Sequence, residues 1–327
     1  TTPYDKNKSE FIVNTTKFTN EIIKQRLSCI PIHIQELETE TFHLNDYYVE
    51  LNVANDTDII MHVTTQDFII KSTKTNDVVK EIDRDEIFPP DTYTGNYILF
   101  LRLKPKLSNE LPGEKIHLTC KFDIGTASED GCFNVVSTCS YGNTPDPVQQ
   151  EHELSKKIQL WKNEEKNVDF EIKNWKLLEG KRFFKPNSFD FIIKTIGIYS
   201  NYDLVFKSCK IITDKLNAIL TLNNVDEVSI KQNENPNSYD IKLMHEDYTI
   251  GKVVEYFFYM KFFENVKILS FCGFKKSHPQ DDFCFITIVY KEPVDLANIK
   301  GNLNECLTDA ITLFNKISTK IQHTLGK

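Results

Sequence analysis

Apolar positions along the chain recur with two different periods, and the switches between them divide it into regions. From Lys17 to Leu27, the residues Phe18, Ile22 and Leu27 fall at near-helical spacing, after Asn14, Thr15 and Thr16 that suit a helix start. Ile30-Pro31-Ile32 ends this helix, because the residue before a proline is pushed toward extended geometry. Between about Glu36 and Asn174 the apolar runs shorten and become β-branched or aromatic: Tyr47 to Val53, Asp58 to Val63, Tyr97 to Leu103 and Ile116 to Phe122 read as strands. A mainly β region is expected there, punctuated by Pro89-Pro90 and Thr144-Pro145-Asp146-Pro147, with Leu154 to Asp169 as a charged, exposed segment.

Phe189 to Tyr199 alternates as a strand does, and then Val205, Cys209, Ile212, Leu216 and Ile219 recur every three or four residues, predicting one long amphipathic helix. Residues 226–238 turn polar and are read as a linker, after which the pattern restarts. Tyr239 to Met244 predicts a strand, Thr249 to Phe263 a very apolar helix, Leu269 to Phe274 with Phe283 to Tyr290 a hairpin, and Leu296 to Leu325 a long helix. In that last helix Leu303, Leu307, Ala310, Phe314, Ile317 and Ile321 form one stripe. Burying such side chains is worth about 1.5–3 kcal/mol each, so the stripe needs a partner, and the helix from Val205 to Ile219 offers a matching one. The expected class is α+β.

Composition narrows the functions. With 327 residues, 40% apolar and only 11 glycines and 12 prolines, the chain has material for two or three cored domains. A net charge of -8 argues against a general nucleic-acid-coating surface. No stretch reaches the roughly 18 uninterrupted apolar residues of a membrane helix. The 8 cysteines are scattered without a CxxC pair and read as reduced thiols of an intracellular protein. His33 and His43 near Glu36, Glu38 and Glu40 lack a second ligand set at metal spacing, and His152 lacks the partner histidine four residues on. Neither Cys132 nor Cys139 sits in a catalytic signature, Gly125 and Gly131 do not make a phosphate loop, and neither Asp83 to Glu86 nor Asp281-Asp282 makes a polymerase metal motif. No catalytic, cofactor-binding or metal-ligating residue is assigned.

Several stretches in a fixed order resemble a known pair of proteins. Asn14-Thr15-Thr16 followed by Glu21-Ile22-Ile23-Lys24-Gln25-Arg26-Leu27-Ser28-Cys29-Ile30-Pro31 resembles the signature of the third-largest subunit of eukaryotic RNA polymerase II, archaeal D and bacterial alpha. Leu118-Thr119-Cys120 with Gly125 and Ala127, and Phe189 to Gly197, resemble later strands of the same family. Glu246-Asp247-Tyr248-Thr249-Ile250-Gly251 and Phe271-Cys272-Gly273-Phe274 through His278-Pro279 are similar to the small partner of that subunit, the eleventh polymerase II subunit or archaeal L. A fusion of the two resembles what large cytoplasmic DNA viruses carry. Glu255 departs from the family's usual Arg, and the family's opening strand and Arg-Arg helix have no match, so a preceding segment is expected.

The resemblance implies two alpha-N-terminal-like dimerisation modules fused as an intramolecular pseudo-dimer. Residues 1–35 and 180–225 would form the first module, 36–179 a mainly β insert, 226–238 a linker and 239–327 the second module. It implies a non-catalytic assembly subunit that docks the two largest polymerase subunits and a small one, without direct sequence-specific nucleic-acid contact. Glu21, Arg26, Leu27, Ile30 and Pro31, with Thr249, Ile250, Gly251, Val254 and Phe258, would face those subunits. Val205, Ile212 and Leu216 would meet Leu307, Phe314 and Ile317 between the modules. Host cytoplasm or virion is the implied location for a viral chain, and the nucleus otherwise. A free-standing adaptor on the same fold, or a thiol or metal enzyme, remain the alternatives.

Overall fold

The computed structural model describes residues 8–34, 43–79, 84–108, 110–221 and 228–325. It is mixed α+β with several small antiparallel sheets, and divides into two compact units, Thr1–Ser200 and Asn201–Lys327.

The first unit opens with β1 (Ser9–Asn14), a strand the periodicity did not predict, and α1 (Asn20–Ser28). Asn14 does not cap the helix. Its Oδ1 accepts from the Thr16 amide at 3.0 Å and the Thr16 hydroxyl at 2.8 Å, while its Nδ2 donates to the Phe18 carbonyl, closing a turn before the helix begins. The chain continues through β2 (Tyr47–Ala54), β3 (Met61–Thr64), β4 (Ile69–Ser72), the short helix α2 (Arg84–Ile87), β5 (Leu99–Leu103) and β6 (Lys115–Lys121). One sheet has the order β1-β6-β2-β4, and β3 pairs with β5. Val49 lies opposite Cys120, Leu51 opposite Leu118 and Val53 opposite Ile116. Alternation turns Val49, Leu51, Ile116 and Leu118 into the core, where Ile23 of α1 joins them, and turns Glu50 and His117 to the other face. Phe68 sits edge-on to Phe88 at 5.4 Å and to Phe100 at 5.7 Å. On the outer face the Glu50 carboxylate pairs with Lys71 and meets His117 Nε2 at 2.8 Å; the hydrogen bond from Lys71, then that from His117, holds its carboxyl below the usual range.

The expected β insert also holds two helices. β7 (Val136–Pro145) is followed by α3 (Pro147–Asn163) and α4 (Val168–Leu177), and β8 (Phe184–Thr195) returns to pair with β7. The segment from Leu154 to Asp169, expected to be merely exposed, is thus mostly helical. Asp146 caps α3 by accepting from the Val148 and Gln149 amides, with Pro147 in the first turn, and Asn167 caps α4 by accepting from the Phe170 amide. Each helix buries one tryptophan, Trp161 and Trp175, too sparse a stripe to show as periodicity among lysines and glutamates.

The second unit begins with α5 (Asn201–Thr221), then β9 (Val228–Gln232), β10 (Ser238–Met244), α6 (Tyr248–Phe258), β11 (Leu269–Lys275), β12 (Phe283–Tyr290) and α7 (Leu296–Leu325). The sheet order is β11-β12-β10-β9. Residues 228–232, expected within a linker, are a strand whose Ile230 faces Ile241. Of that linker, 226 and 227 lie outside the described residues. Ile250, Val254 and Phe258, one helical face of α6, are fully buried with Ile241, Ile286 and Ile288 of the sheet. The helix predicted to reach Phe263 changes hand-hold at Tyr259, where a π-helical stretch runs to Asn265 and Lys261 reaches Glu305 (2.8 Å) and Asp309 (2.6 Å) of α7. The boundary between units falls at Ser200, so α5, expected with the first module, belongs to the second unit. Its buried Leu216 and Ile219 share one core with Ile299, Leu303, Leu307 and Ala310 of α7.

Candidate functional site

Two of the anticipated surfaces are built on α6 and α1. Asp247 caps α6 by accepting from the Thr249 amide at 2.9 Å, which leaves Tyr248 and Thr249 exposed on its first turn. Gly251 is required by packing: a Cβ there would sit 2.1 Å from the Phe274 ring. Ile250, Gly251, Val254 and Phe258 were expected to face partner subunits, but all four are buried in the chain's own core. The helical period picks out the inward face. The outward face of α6 carries Tyr248, Thr249, Lys252 and Tyr256, continuing into Tyr259 and Met260. Glu255 pairs with Lys252 and accepts from the Phe274 amide at 3.1 Å, so it ties α6 to β11.

On α1, Glu21 is exposed, and a hydrogen bond from its own backbone amide, followed by one from Thr19, keeps its carboxyl below the usual range. Arg26, expected at a subunit interface, is engaged at home: Nε donates to the Phe100 carbonyl at 2.9 Å and a terminal nitrogen to that of Leu99 at 3.2 Å. Leu27, Ile30 and Pro31 are half-buried and line a cavity of about 480 Å³ together with Phe88, Phe122 and Phe133, whose wall also carries Lys121, Asp123 and Glu129.

The helix pair foreseen between modules is brought together in part. Ile212, Leu216, Leu307 and Phe314 belong to one core, with Leu216 and Leu307 fully buried, whereas Val205 lies outside that cluster and Ile317 is 37% exposed.

A surface the sequence reading missed is the β7–β8 ribbon. Tyr141 lies opposite Phe191 and Asn143 opposite Phe189, so alternation puts three rings on one face, with Tyr141 5.8 Å from each phenylalanine. All three rings are exposed, while Ser140, Gly142 and Asp190 occupy the other face. The alternation of Phe189, Asp190 and Phe191 signals such a face, but only the pairing with β7 shows that no layer of the described chain covers it.

Burial pushes the Cys132 thiol up to about 11 and those of Cys120, Cys272 and Cys306 to about 12, leaving them protonated and poorly nucleophilic at neutral pH. His152 lies exposed beside Glu153 at 3.3 Å. Burial lowers His33, and Glu36, Glu38 and Glu40 lie outside the described residues, as does Asp83. Among the described residues no group of three or more His, Cys, Asp and Glu side chains is disposed to hold a metal ion. No helix among them is long and apolar enough to cross a membrane. No family model matches the chain, and no curated protein matches it at a significant level.

Proposed function

We propose that the chain is a non-catalytic assembly subunit of a multi-subunit DNA-directed RNA polymerase, two related dimerisation modules joined in one polypeptide. One observation carries this reading. An antiparallel strand pair followed by a long helix occurs twice, β7–β8 before α5 and β11–β12 before α7, and the two helices bury part of their stripes in one core. Two such modules on separate chains lose translational freedom when they pair; joined, they meet at an effective concentration near the millimolar range. The exposed faces of α6 and α1 and the aromatic face of β7–β8 suit a protein that works by holding others. Its partners on this reading are the two largest polymerase subunits and a small one, and it resides where that polymerase does, in host cytoplasm or virion for a virus and in the nucleus otherwise.

The test is affinity isolation of the full-length protein from its native source at near-physiological salt. Stoichiometric recovery of two large polymerase subunits is expected, and recovery without either removes the proposal.

A further inference from the structure

The α3–α4 hairpin has an outward face that neither the fold nor the proposed function uses. Inside, Trp175 stacks on Phe183 with ring centres 6.0 Å apart and leaves Gly180 no room for a side chain, its Cβ position being 2.8 Å from the Trp175 ring. That contact fixes which side of α4 looks out. Phe170 and Leu177, seven residues apart and hence on one face, are 64% and 65% exposed, and Leu178 at the helix end is 63% exposed. Three large apolar side chains in water along one side of a ten-residue helix and its C-terminal end form no part of a core.

The charge around them is predominantly basic. Lys173 lies between Phe170 and Leu177 on the same face, and Lys176, Lys181, Arg182 and Lys185 follow, all exposed. From 168 to 185 the acidic residues are Asp169, Glu171 and Glu179, against five lysines and arginines, and Glu179 already pairs with Lys157 at 3.6 Å. Among the described residues none of the five cations is in a salt bridge, in a chain whose net charge is -8.

We propose that this face of α4 is a docking site for an acidic amphipathic segment of a protein partner, its apolar residues covering Phe170, Leu177 and Leu178 and its carboxylates meeting the basic rim. An apolar centre with a charged rim is the anatomy of a protein interface, and complementary charge sets its register and on-rate. A polynucleotide draws its affinity from many phosphate contacts and stacks its bases on aromatic planes, whereas the centre here is chiefly aliphatic. A membrane-surface helix lays a continuous apolar face into lipid, but the largest apolar side chain of α4, Trp175, points inward. Three anchors make a small contact, so the interaction is of the weak, salt-sensitive kind.

The experiment is zero-length carbodiimide cross-linking of the full-length protein in its natively isolated assembly, with the joined peptides identified by mass spectrometry. Lys173, Lys176 or Lys181 should be joined to Asp or Glu of another polypeptide, within a segment whose apolar residues recur every three or four positions. The pair Lys173→Glu and Lys176→Glu should remove those links and weaken retention of that polypeptide roughly tenfold. The pair Phe170→Ser and Leu177→Ser should also release it, with the melting temperature of the chain unchanged because both side chains are exposed. Links confined to this chain, or full reactivity of these lysines toward an acetylating reagent in the assembly, would overturn the proposal. Lysine-dependent binding of the purified chain to fluorescein-labelled single-stranded RNA or to phosphatidylserine vesicles would overturn it too, in favour of those ligands. Large polymerase subunits recovered alongside bare lysines would sink this inference and leave the assembly reading intact.

Discussion

Replacing Leu216 with Ala tests whether α5 and α7 share one hydrophobic interior. Leu216 and Leu307 are both fully buried and belong to the same cluster. Truncating such a leucine destabilises by about 2–5 kcal/mol, the lost transfer energy plus the cavity left behind. Because the chain has two compact units, a single global unfolding energy is not well defined, so the effect should be read locally. Amide hydrogen exchange in peptides from both α5 and α7 should quicken about a hundredfold, the equivalent of roughly 3 kcal/mol, while exchange in β2 and β6 of the other unit stays unchanged. Leu307→Ala should give the same pattern, and the double variant should depart from additivity by about 0.5–3 kcal/mol, as neighbouring residues do. Ile317→Ala, at a half-open position, should cost less than about 1 kcal/mol. Faster exchange confined to α5 alone, together with strict additivity, would refute a shared core and take the assembly proposal with it.

Four further outcomes are expected. Gly251→Ala should lower the melting temperature by an amount equivalent to about 1–3 kcal/mol, since the new methyl meets the Phe274 ring; an unchanged melt would show that the ring moves freely aside. Arg26→Ala should cost about 1–3 kcal/mol through its lost bonds to the Leu99 and Phe100 carbonyls, read as faster exchange at β5, and Lys at this position should not restore the fork. Because the folded-state pKa of Glu50 lies below its unfolded value, its contribution to stability is present above the ordinary carboxylate range and is lost as pH falls through the depressed value. Thermal melts of Glu50→Gln should accordingly show a shallower loss of stability on the acid side than wild type. Finally, a Cys132 thiol at about 11 should alkylate about a hundredfold more slowly at mildly alkaline pH than an ordinary exposed cysteine, and rapid labelling would reopen the thiol-enzyme alternative.

Where one face of an element is buried, its sequence pattern was legible. The strands from Tyr47, Ile116, Tyr239 and Phe283 and the helix from Leu296 to Leu325 lie where alternation or helical spacing puts them. What stayed hidden had weak contrast. α3 and α4 bury one residue each, β1 has half-buried and exposed apolar positions in succession, and β9 looks like linker because its neighbours are polar. The site reading met a related limit. Periodicity reports which side of a helix is apolar, and on α6 that side seals the core, so Ile250, Gly251, Val254 and Phe258 are buried, while Thr249 looks outward with Tyr248, Lys252 and Tyr256. Arg26 shows the same limit, since no local pattern reveals that its hydrogen-bond partners lie on β5.

At the base of the helical hairpin the two ends of the excursion almost touch. The Asp146 amide donates to the Phe183 carbonyl at 3.2 Å, and Gln150 Nε2 donates to the carbonyls of Gly180 and Phe183. Everything from 147 to 182 therefore leaves and re-enters through a neck one peptide wide, like a cassette clipped into a ribbon. Loop-closure entropy grows only slowly with length, so such a cassette can be lengthened, exchanged or cut back to a tight turn while the strands beneath it stay paired. That plan lets a lineage change what this corner of the molecule touches without disturbing the joined helices on which the rest depends.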